Sequence, residues 1–350
     1  MGDPAGIGPR VLLECLAQAG NLPSVSIIGD LSWLKSIARR HHLSVAWNRF
    51  HWIDCANVPA HLHPGQPQPS AGRAAYEYLV EAVRLIKAGE AEALVTAPVS
   101  KQAIVEAGIR WIGHTEFLAE SFGCRTRMMF VVRNFRASLV TTHVGLRQLP
   151  AALTPARVRE TLKATREALI RDFKIRSPRI GLAALNPHAG ENGIFGGEEK
   201  KILAPALQGI GFRVQGPLPV DSLMQAAAQG AYDAVVALYH DQALIAVKLL
   251  GWEEAVNVTL GLPFIRTSPV HGTAFDLVTR GSVRPEHSLR QRTWRPPQFS
   301  GGRPPTNCGG RTRHALWRGR TNVAQGRPDS RSMQSAIRLA VQLSRRRASA

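Results

Sequence analysis

Short apolar runs alternate along the chain with longer segments whose apolar residues recur at helical spacing. The runs are four to seven residues long and rich in β-branched residues, as strands buried inside a sheet tend to be. These predicted strands are 24–28, 50–53, 93–96, 128–132, 137–142, 179–185, 233–239 and 255–260. The alternation of strands and helices predicts a layered α/β fold with a largely parallel sheet.

Two of the predicted helices carry clear start or stop signals. The first is predicted to begin with Ser70 as its N-cap and to end at Gly89, with an apolar stripe between them. The second follows Thr154 as N-cap and has Pro155 in its first turn. The two strands that flank Asn134 are only a few residues apart, so they are predicted to form a hairpin.

Both ends of the sequence depart from this alternation. Residues 2–9 form a glycine-rich segment typical of a turn from a strand into a helix, yet no strand precedes it. Residues 283–327 are rich in Pro, Gly and Arg without an apolar period, which predicts a disordered insertion. A short helix is predicted to follow over 332–343.

The composition narrows the class of protein. Of 350 residues, 44% are apolar and 20% are charged, a globular balance that excludes wholesale disorder. No apolar run approaches the ~18 residues that span a bilayer, and residues 1–10 lack the pattern of a signal peptide. The four cysteines are scattered and form no Cys-x-x-Cys pair, which argues against a disulfide framework and favours a cytoplasmic location.

The net charge of +19 is concentrated near the C-terminus. Residues 282–350 hold 15 arginines, no lysine and two acidic residues, a balance of +13 that leaves +6 for the rest of the chain. Such an arginine-rich stretch would bind polyanions such as single-stranded nucleic acid, and this is one alternative function. The mildly basic body instead suits an enzyme for a phosphorylated or carboxylated metabolite.

Three histidines share one position relative to the predicted strands, because His143, His188 and His240 each follow a strand closely. In open α/β sheets, ligands bind at the carboxyl ends of the strands. Three imidazoles there would suit a divalent transition metal with open positions for substrate, with Asp241 as a further ligand or a supporting partner. A single histidine after a strand is more often a hydrogen-bonded loop residue, so the shared position carries the hypothesis.

Other residues suit an anionic substrate. The segment Gly-His-Thr-Glu at 113–116 is predicted to enter a helix, whose free N–H groups attract anions. Lys248 lies two helical turns after His240, and Arg266 follows an apolar run; each could hold an anion or be a solvated surface charge. The usual dinucleotide fingerprint and the P-loop are absent from the sequence. The residues alone therefore predict a metal-dependent α/β enzyme for a small anionic metabolite, with its cofactor open.

Seven segments resemble the 4-hydroxythreonine-4-phosphate dehydrogenase family, NAD-dependent enzymes of pyridoxal phosphate biosynthesis. They are MGDPAGIGP at 1–9, LVTAPVSK at 94–101, GHTEF at 113–117, TTH at 141–143, NPHAGE at 186–191, YHDQ at 239–242 and NVTLGLPFIRTS at 257–268. The resemblance runs in order from residue 1 to about residue 281 and resumes over 329–343. Together the segments are highly specific, although none is specific alone.

The resemblance implies a two-domain α/β/α fold related to the isocitrate and isopropylmalate dehydrogenases. The active site is expected in the cleft between the domains, at the boundary of a homodimer. The first domain would comprise 1–115, 260–281 and 329–350, and the second, with the metal ligands and dimer contacts, would comprise 116–259.

The resemblance also implies roles for individual residues. The implied metal ligands are His143 and His188 together with His240 of the partner subunit. The implied substrate-binding residues are His114, Thr115, Lys248, Asn257 and Arg266. Lys248 is in addition the catalytic candidate, either to assist proton transfer or to neutralise a carboxylate. The implied cofactors are NAD or NADP and a divalent metal, with zinc first and cobalt, manganese, nickel or magnesium as alternatives. This family binds NAD without the usual glycine fingerprint.

The implied reaction is the oxidation of 4-phosphooxy-L-threonine, followed by loss of carbon dioxide, to give 3-amino-2-oxopropyl phosphate. The metal would act as a Lewis acid on the substrate hydroxyl and on the developing enolate. A paralogue that oxidises 4-phospho-D-threonate or 4-phospho-D-erythronate would share the same segments, so that alternative stays open. Two departures stand out: residues 283–327 match nothing in the family, and the strand expected before Met1 is missing, which would expose unpaired ladder groups.

Overall fold

The structure is a computed structural model, and it describes residues 1–18, 25–279 and 330–348. The predicted insertion at 283–327 lies outside these described residues. Within them, no helix is long and apolar enough to cross a membrane.

The described residues form two sheets. Their strands are β1 (Ser26–Gly29), β2 (His51–Asp54), β3 (Ala93–Val95), β4 (Arg127–Val132), β5 (Phe135–Leu139), β6 (Ile180–Ala183), β7 (Val214–Leu218), β8 (Ala234–Ala237), β9 (Val256–Leu260) and β10 (Ile265–Pro269). β1 and β2 pair in parallel as a small separate sheet. The other eight form one sheet in the order β3-β10-β9-β4-β5-β8-β6-β7.

The large sheet is mixed rather than largely parallel, which corrects the sequence prediction. β5, β8, β6 and β7 run parallel to one another, but β10, β9, β4 and β5 pair with antiparallel neighbours. The predicted hairpin is confirmed: Val132 pairs with Phe135 across a turn in which Arg133 has a φ of 51°. The sequential antiparallel pairs β4–β5 and β9–β10 are joined by short connections, so neither pair needs a crossover helix.

Helices cover both faces of the large sheet. Among the described residues they are α1 (Gly8–Ala17), α2 (Leu31–Arg40), α3 (Pro69–Lys87), α4 (Lys101–Glu106), α5 (His114–Phe122), α6 (Leu149–Ala152), α7 (Pro155–Arg171), α8 (Ala204–Leu207), α9 (Val220–Ala228), α10 (His240–Gly251), α11 (Phe275–Thr279) and α12 (Ser330–Ala348). Along β4, Met129 and Val131 pack on the side of α7 and α12, whereas Phe130 and Val132 pack on the side of α9 and α10. This two-residue alternation confirms a layered α/β fold.

The helix start signals predicted the N-cap of α7 correctly and that of α3 wrongly, whereas the predicted end of α3 near Gly89 is confirmed: α3 ends at Lys87, and Gly89 has a φ of 73°. Thr154 caps α7 as predicted, because its side chain accepts a hydrogen bond from the N–H of Arg157. The helix α3 begins at Pro69 with Gln68 as its N-cap, so the prediction of Ser70 as N-cap was wrong. Pro69 explains the difference: its fixed φ suits the first helical position, where no N–H is needed.

Two strands escaped the sequence prediction. β7 contains Gly216 and Pro217, residues typical of turns, but it lies at the edge of the sheet, where a missing N–H is tolerated. β10 ends at Pro269, yet all five of its residues are buried between β3 and β9. Arg266 therefore lies in a buried strand and is not a solvated surface charge.

A cavity of about 560 Å³ separates the two sheets. Its walls include Ser26, Ile27 and Ile28 of β1 on one side, and residues of β3 on the other. No described strand lies between β1 and β3, so these two edges lack ladder partners. The amino group of Met1 donates a hydrogen bond to the carbonyl of Ile28 (2.8 Å) at the rim of this gap.

Candidate active site

The three strands that precede the predicted metal ligands are parallel neighbours, in the order β5-β8-β6. Their carboxyl ends therefore meet at one edge of the sheet, as the sequence reading required. His143 follows β5, His240 opens α10 after β8, and His188 follows β6. The rings of His143 and His240 lie side by side, with centroids 5.8 Å apart and planes tilted by 39°.

The paired rings fit a metal site in part. Two imidazoles bound to one tetrahedral ion at ~2.1 Å would have centroids about 5 Å apart, close to the observed separation. Burial, and then the charges of Lys101 and His240, lower the pKa of His143, which favours the neutral form that binds metals. The Nδ1 of His240 lies 2.7 Å from a carboxylate oxygen of Asp241, the partner expected to orient a ligand ring.

His188 is not brought into a group with these two rings. Among the described residues of one chain, no three His, Cys, Asp or Glu side chains are close enough to hold one ion. His188 begins a run of six residues with positive φ that ends at Gly193. The three-histidine site therefore stays a prediction.

Buried Glu199 holds the segment in front of His188. One of its oxygens accepts hydrogen bonds from the N–H groups of Leu185 (3.0 Å) and Asn186 (2.8 Å), and the other accepts one from the Asn186 side chain (3.0 Å). Burial alone would raise the pKa of Glu199, but the bonds from Asn186 and Leu185 lower it. The carboxylate is thus ionised and anchors the start of this loop.

The predicted anion-binding helix is present as α5, which starts at His114 after Gly113. The ring of His114 meets that of Trp111 edge-on, with centroids 5.6 Å apart. Burial, and then the charge of Arg266, lower the pKa of His114 to about 3. His114 is therefore neutral near pH 7 and can exchange a hydrogen bond with a ligand, and Thr115 lies beside it in the first turn.

Arg266 is only 3% exposed and is held by two threonines. Its guanidinium donates to the hydroxyls of Thr259 (3.0 Å) and Thr96 (2.7 Å), while its Nε has no hydrogen-bond partner among the described residues. The side-chain oxygen of Asn257, on the adjacent strand β9, has no hydrogen-bond partner among them either. Burial lowers the pKa of Arg266 to about 10, so it remains cationic, and a buried cation of this kind favours an anionic ligand.

Lys248 lies away from these residues within one chain. It is eight residues after His240, which corresponds to ~12 Å along the helix axis. Its ammonium group sits 4.6 Å from the centre of the Trp252 ring. Its predicted substrate-binding and catalytic roles stay predictions.

Sequence reasoning missed two charged residues near the histidines. The Cε of Lys101 and a carboxylate oxygen of Glu116 both lie close to Gly113, within 3.9 Å and 2.5 Å of where a Cβ would stand. The charge of Lys101 lowers the pKa of both His114 and His143. Both residues fall in segments that carried the family resemblance, but nothing in their local pattern distinguished them from surface charges.

Comparisons with known proteins identify the family. A family model described as pyridoxal phosphate biosynthetic protein PdxA matches residues 17–291. A 4-hydroxythreonine-4-phosphate dehydrogenase from Geobacter metallireducens is 42% identical over 313 residues, covering 82% of this chain and 90% of the relative. A relative from Bradyrhizobium diazoefficiens, provisionally named a D-threonate 4-phosphate dehydrogenase, is 40% identical over 319 residues, covering 83% and 92%.

Solved structures give the same answer for the fold. The crystal structure of a 4-hydroxythreonine-4-phosphate dehydrogenase from Klebsiella pneumoniae superimposes with a TM-score of 0.78 at 33% identity, covering 98% of this chain and 96% of the other. A terephthalate 1,2-cis-dihydrodiol dehydrogenase from Burkholderia xenovorans is also similar, with a TM-score of 0.55 at 30% identity, covering 79% and 90%. The chain is an oxidoreductase that belongs to the family of pyridoxal phosphate biosynthetic proteins called PdxA.

Proposed function

We propose that the protein oxidises 4-phosphooxy-L-threonine with NAD and a divalent metal, and that loss of carbon dioxide then gives 3-amino-2-oxopropyl phosphate. The observation that carries this proposal is the His143–His240 ring pair at the carboxyl ends of β5 and β8. The charge of Lys101 lowers the pKa of both His143 and His114, and the charge of buried Arg266 also lowers that of His114, so these groups share one electrostatic environment. The named activity of the Geobacter metallireducens relative supports the choice of substrate.

The chain's own residues have separable tasks in this reaction. Arg266, Lys101 and the N-terminus of α5 supply positive charge for the phosphate and carboxylate of the substrate. His114 and Asn257 offer neutral polar groups that orient it. When bound by His143, His188 and His240, a divalent cation, zinc foremost, would supply Lewis-acid chemistry to the substrate hydroxyl.

We propose that the site is completed in a homodimer. The family resemblance takes the third ligand from His240 of the partner subunit, whereas within one chain His240 lies beside His143 and His188 stands outside that pair. In either grouping, a ring from a second chain would complete three ligands around one ion. Exposed apolar side chains support an interface here: Ile245 (62% exposed) and Leu249 (83%) on α10, and Ile194 (74%) beyond the His188 loop. Lys248 lies on the same helix between Ile245 and Leu249, so its role also depends on that second chain.

A second candidate function is the oxidation of a related acid without the amino group. The name of the Bradyrhizobium diazoefficiens relative favours 4-phospho-D-threonate, and 4-phospho-D-erythronate belongs to the same class. The residues near Arg266 recognise anions and do not by themselves select an amino group.

Four further expectations remain predictions: the NAD contacts, the two-domain boundaries, a cytoplasmic location, and polyanion binding by 283–327.

The test is a reaction of the purified full chain with NAD, cobalt or zinc, and each of the three phosphorylated acids. We expect reduced cofactor and carbon dioxide to form fastest with 4-phosphooxy-L-threonine. Faster turnover of the non-amino acids would transfer the assignment to the second candidate, and no turnover of any of them would refute both.

A matched pair of variants examines the role of Arg266. Arg266→Lys keeps the charge but loses the fork that reaches Thr96 and Thr259, so kcat/KM should fall by about 100-fold. Arg159→Lys is the control, because among the described residues Arg159 donates only to the backbone carbonyls of Pro205, Ala206 and Gln208. Equal activity of the two variants would contradict the substrate-binding role.

A further inference from the structure

Two buried polar side chains connect the strand ends that carry the three histidines. The first is Thr141, which is fully buried. Its N–H (3.1 Å) and its hydroxyl (2.7 Å) both donate to the carbonyl of Leu238, the residue just beyond β8. These two hydrogen bonds from Thr141 to one carbonyl join the end of β5 to the end of β8.

The second is Gln242, which is 7% exposed and lies in the first turn of α10. Its side-chain oxygen accepts a hydrogen bond from the N–H of Leu238 (2.8 Å), and its amide nitrogen donates to the carbonyl of Ala184 (2.9 Å). Gln242 therefore joins the end of β8 to the end of β6. It resembles a capping box, in which the third helical residue reaches back to the backbone before the helix.

The joined residues stand directly in front of the histidines. Thr141 is two residues before His143, Leu238 is two residues before His240, and Ala184 is four residues before His188. Leu238 and Ala184 are fully buried, so each bond lies in a water-poor environment. A buried polar network whose members are all satisfied fixes one backbone arrangement and penalises others.

We propose that Thr141 and Gln242 are positioning residues that fix the backbone from which the imidazoles of each chain project. The proposal rests on the proposed function, because it assigns these two side chains to the support of a metal site. Among the described residues, the hydrogen bonds of these side chains go to backbone groups of Leu238 and Ala184, so they would act through the backbone that carries the imidazoles. Loss of such outer partners typically weakens metal affinity by ~10–100-fold.

The experiment measures the binding of Co²⁺ alone to the full chain by equilibrium dialysis and by visible absorption. Thr141→Val and Gln242→Met keep the side-chain volume but remove the hydrogen bonds, and Thr141→Ser restores the hydroxyl. Thr165→Val is the matched control, because Thr165 is a buried threonine whose hydroxyl bonds to Ser138 and to Thr161 within α7. Urea unfolding of every variant separates a change in stability from a change in the site.

The Kd for Co²⁺ is expected to rise by about 10–100-fold in Thr141→Val and in Gln242→Met. It should be unchanged in Thr165→Val, and in Thr141→Ser it should return nearly to the value of the unaltered chain. If Thr141→Val and Gln242→Met both bind Co²⁺ as tightly as Thr165→Val does, the positioning role is overturned, while the proposed metal site itself is not affected. If His143→Ala binds Co²⁺ as well as the unaltered chain does, the proposed metal site itself fails. Should Gln242→Met not fold, the two Thr141 variants still decide the question.

Discussion

The two ends of the large sheet bury polar groups in different ways. At the β5-β8-β6 end, Thr141 and Gln242 are neutral and satisfy backbone groups of neighbouring strands directly. At the β3-β10 end, Arg266 and His114 are titratable groups, and His114 and β3 line the cavity of about 560 Å³. The first end is fixed by hydrogen bonds between its own strands. At the second end the stability of the fold depends on pH through His114, and the guanidinium of Arg266 is available to a ligand.

The largest expected difference between the two ends is in pH dependence. The pKa of His114 is lowered to about 3 by burial and by Arg266, against an ordinary value near 6.5. Below pH 6.5 the unfolded chain therefore takes up a proton that the folded chain refuses, and the free energy of unfolding falls as the pH falls. The slope from this one group is at most ~1.4 kcal/mol per pH unit, reduced by the partial exposure of the ring.

His114→Gln should remove this slope, which urea unfolding at several pH values between 4 and 7 would measure. Asp3 acts in the opposite sense, because burial raises its pKa to about 6 and its contribution to stability is lost as the pH rises between about 4 and 6. Asp3 is present in both proteins, so the difference between them isolates His114. Parallel pH profiles would show that the β3-β10 end does not hold a neutral buried histidine.

A smaller difference is expected in tolerance of added volume. Ala137 in β5 is fully buried between paired strands, and Ala137→Leu should lower the free energy of unfolding by about 1–3 kcal/mol. Ala82 on α3 is also buried but lines the cavity, so Ala82→Leu should be neutral or stabilise by up to ~1 kcal/mol. Thermal and urea unfolding of the two variants would measure this, and equal destabilisation by both would contradict the description of the gap as open space.

The sequence predicted the well-fixed end of the sheet better than the other. The strands before His143, His188 and His240 are apolar and β-branched, so the common position of the histidines could be read from local pattern. β10 could not, because the prolines around Arg266 suggest a loop, and only its pairing with β3 and β9 makes it a strand. Long-range pairing of this kind leaves no periodic signal along the chain.

Lys248 shows a different limit of sequence reasoning. Helical spacing correctly indicates which way a side chain points around the axis, but it says nothing of separation along the axis. Eight residues are about 2.2 turns, so Lys248 is rotated by about 80° from His240 around α10 and lies ~12 Å away along its axis. The proposed metal site meets a related limit, since a single sequence does not show which residues would meet across two chains.

The most direct test of the central claim is an anomalous scattering map at the cobalt edge, from crystals of the full chain grown with Co²⁺. The account predicts one strong peak per active site, within about 2–2.3 Å of ring nitrogens from His143, His188 and His240, with at least one ring contributed by a second chain. A peak bound by other residues, or crystals in which those three rings never approach a common point in the dimer, would contradict it.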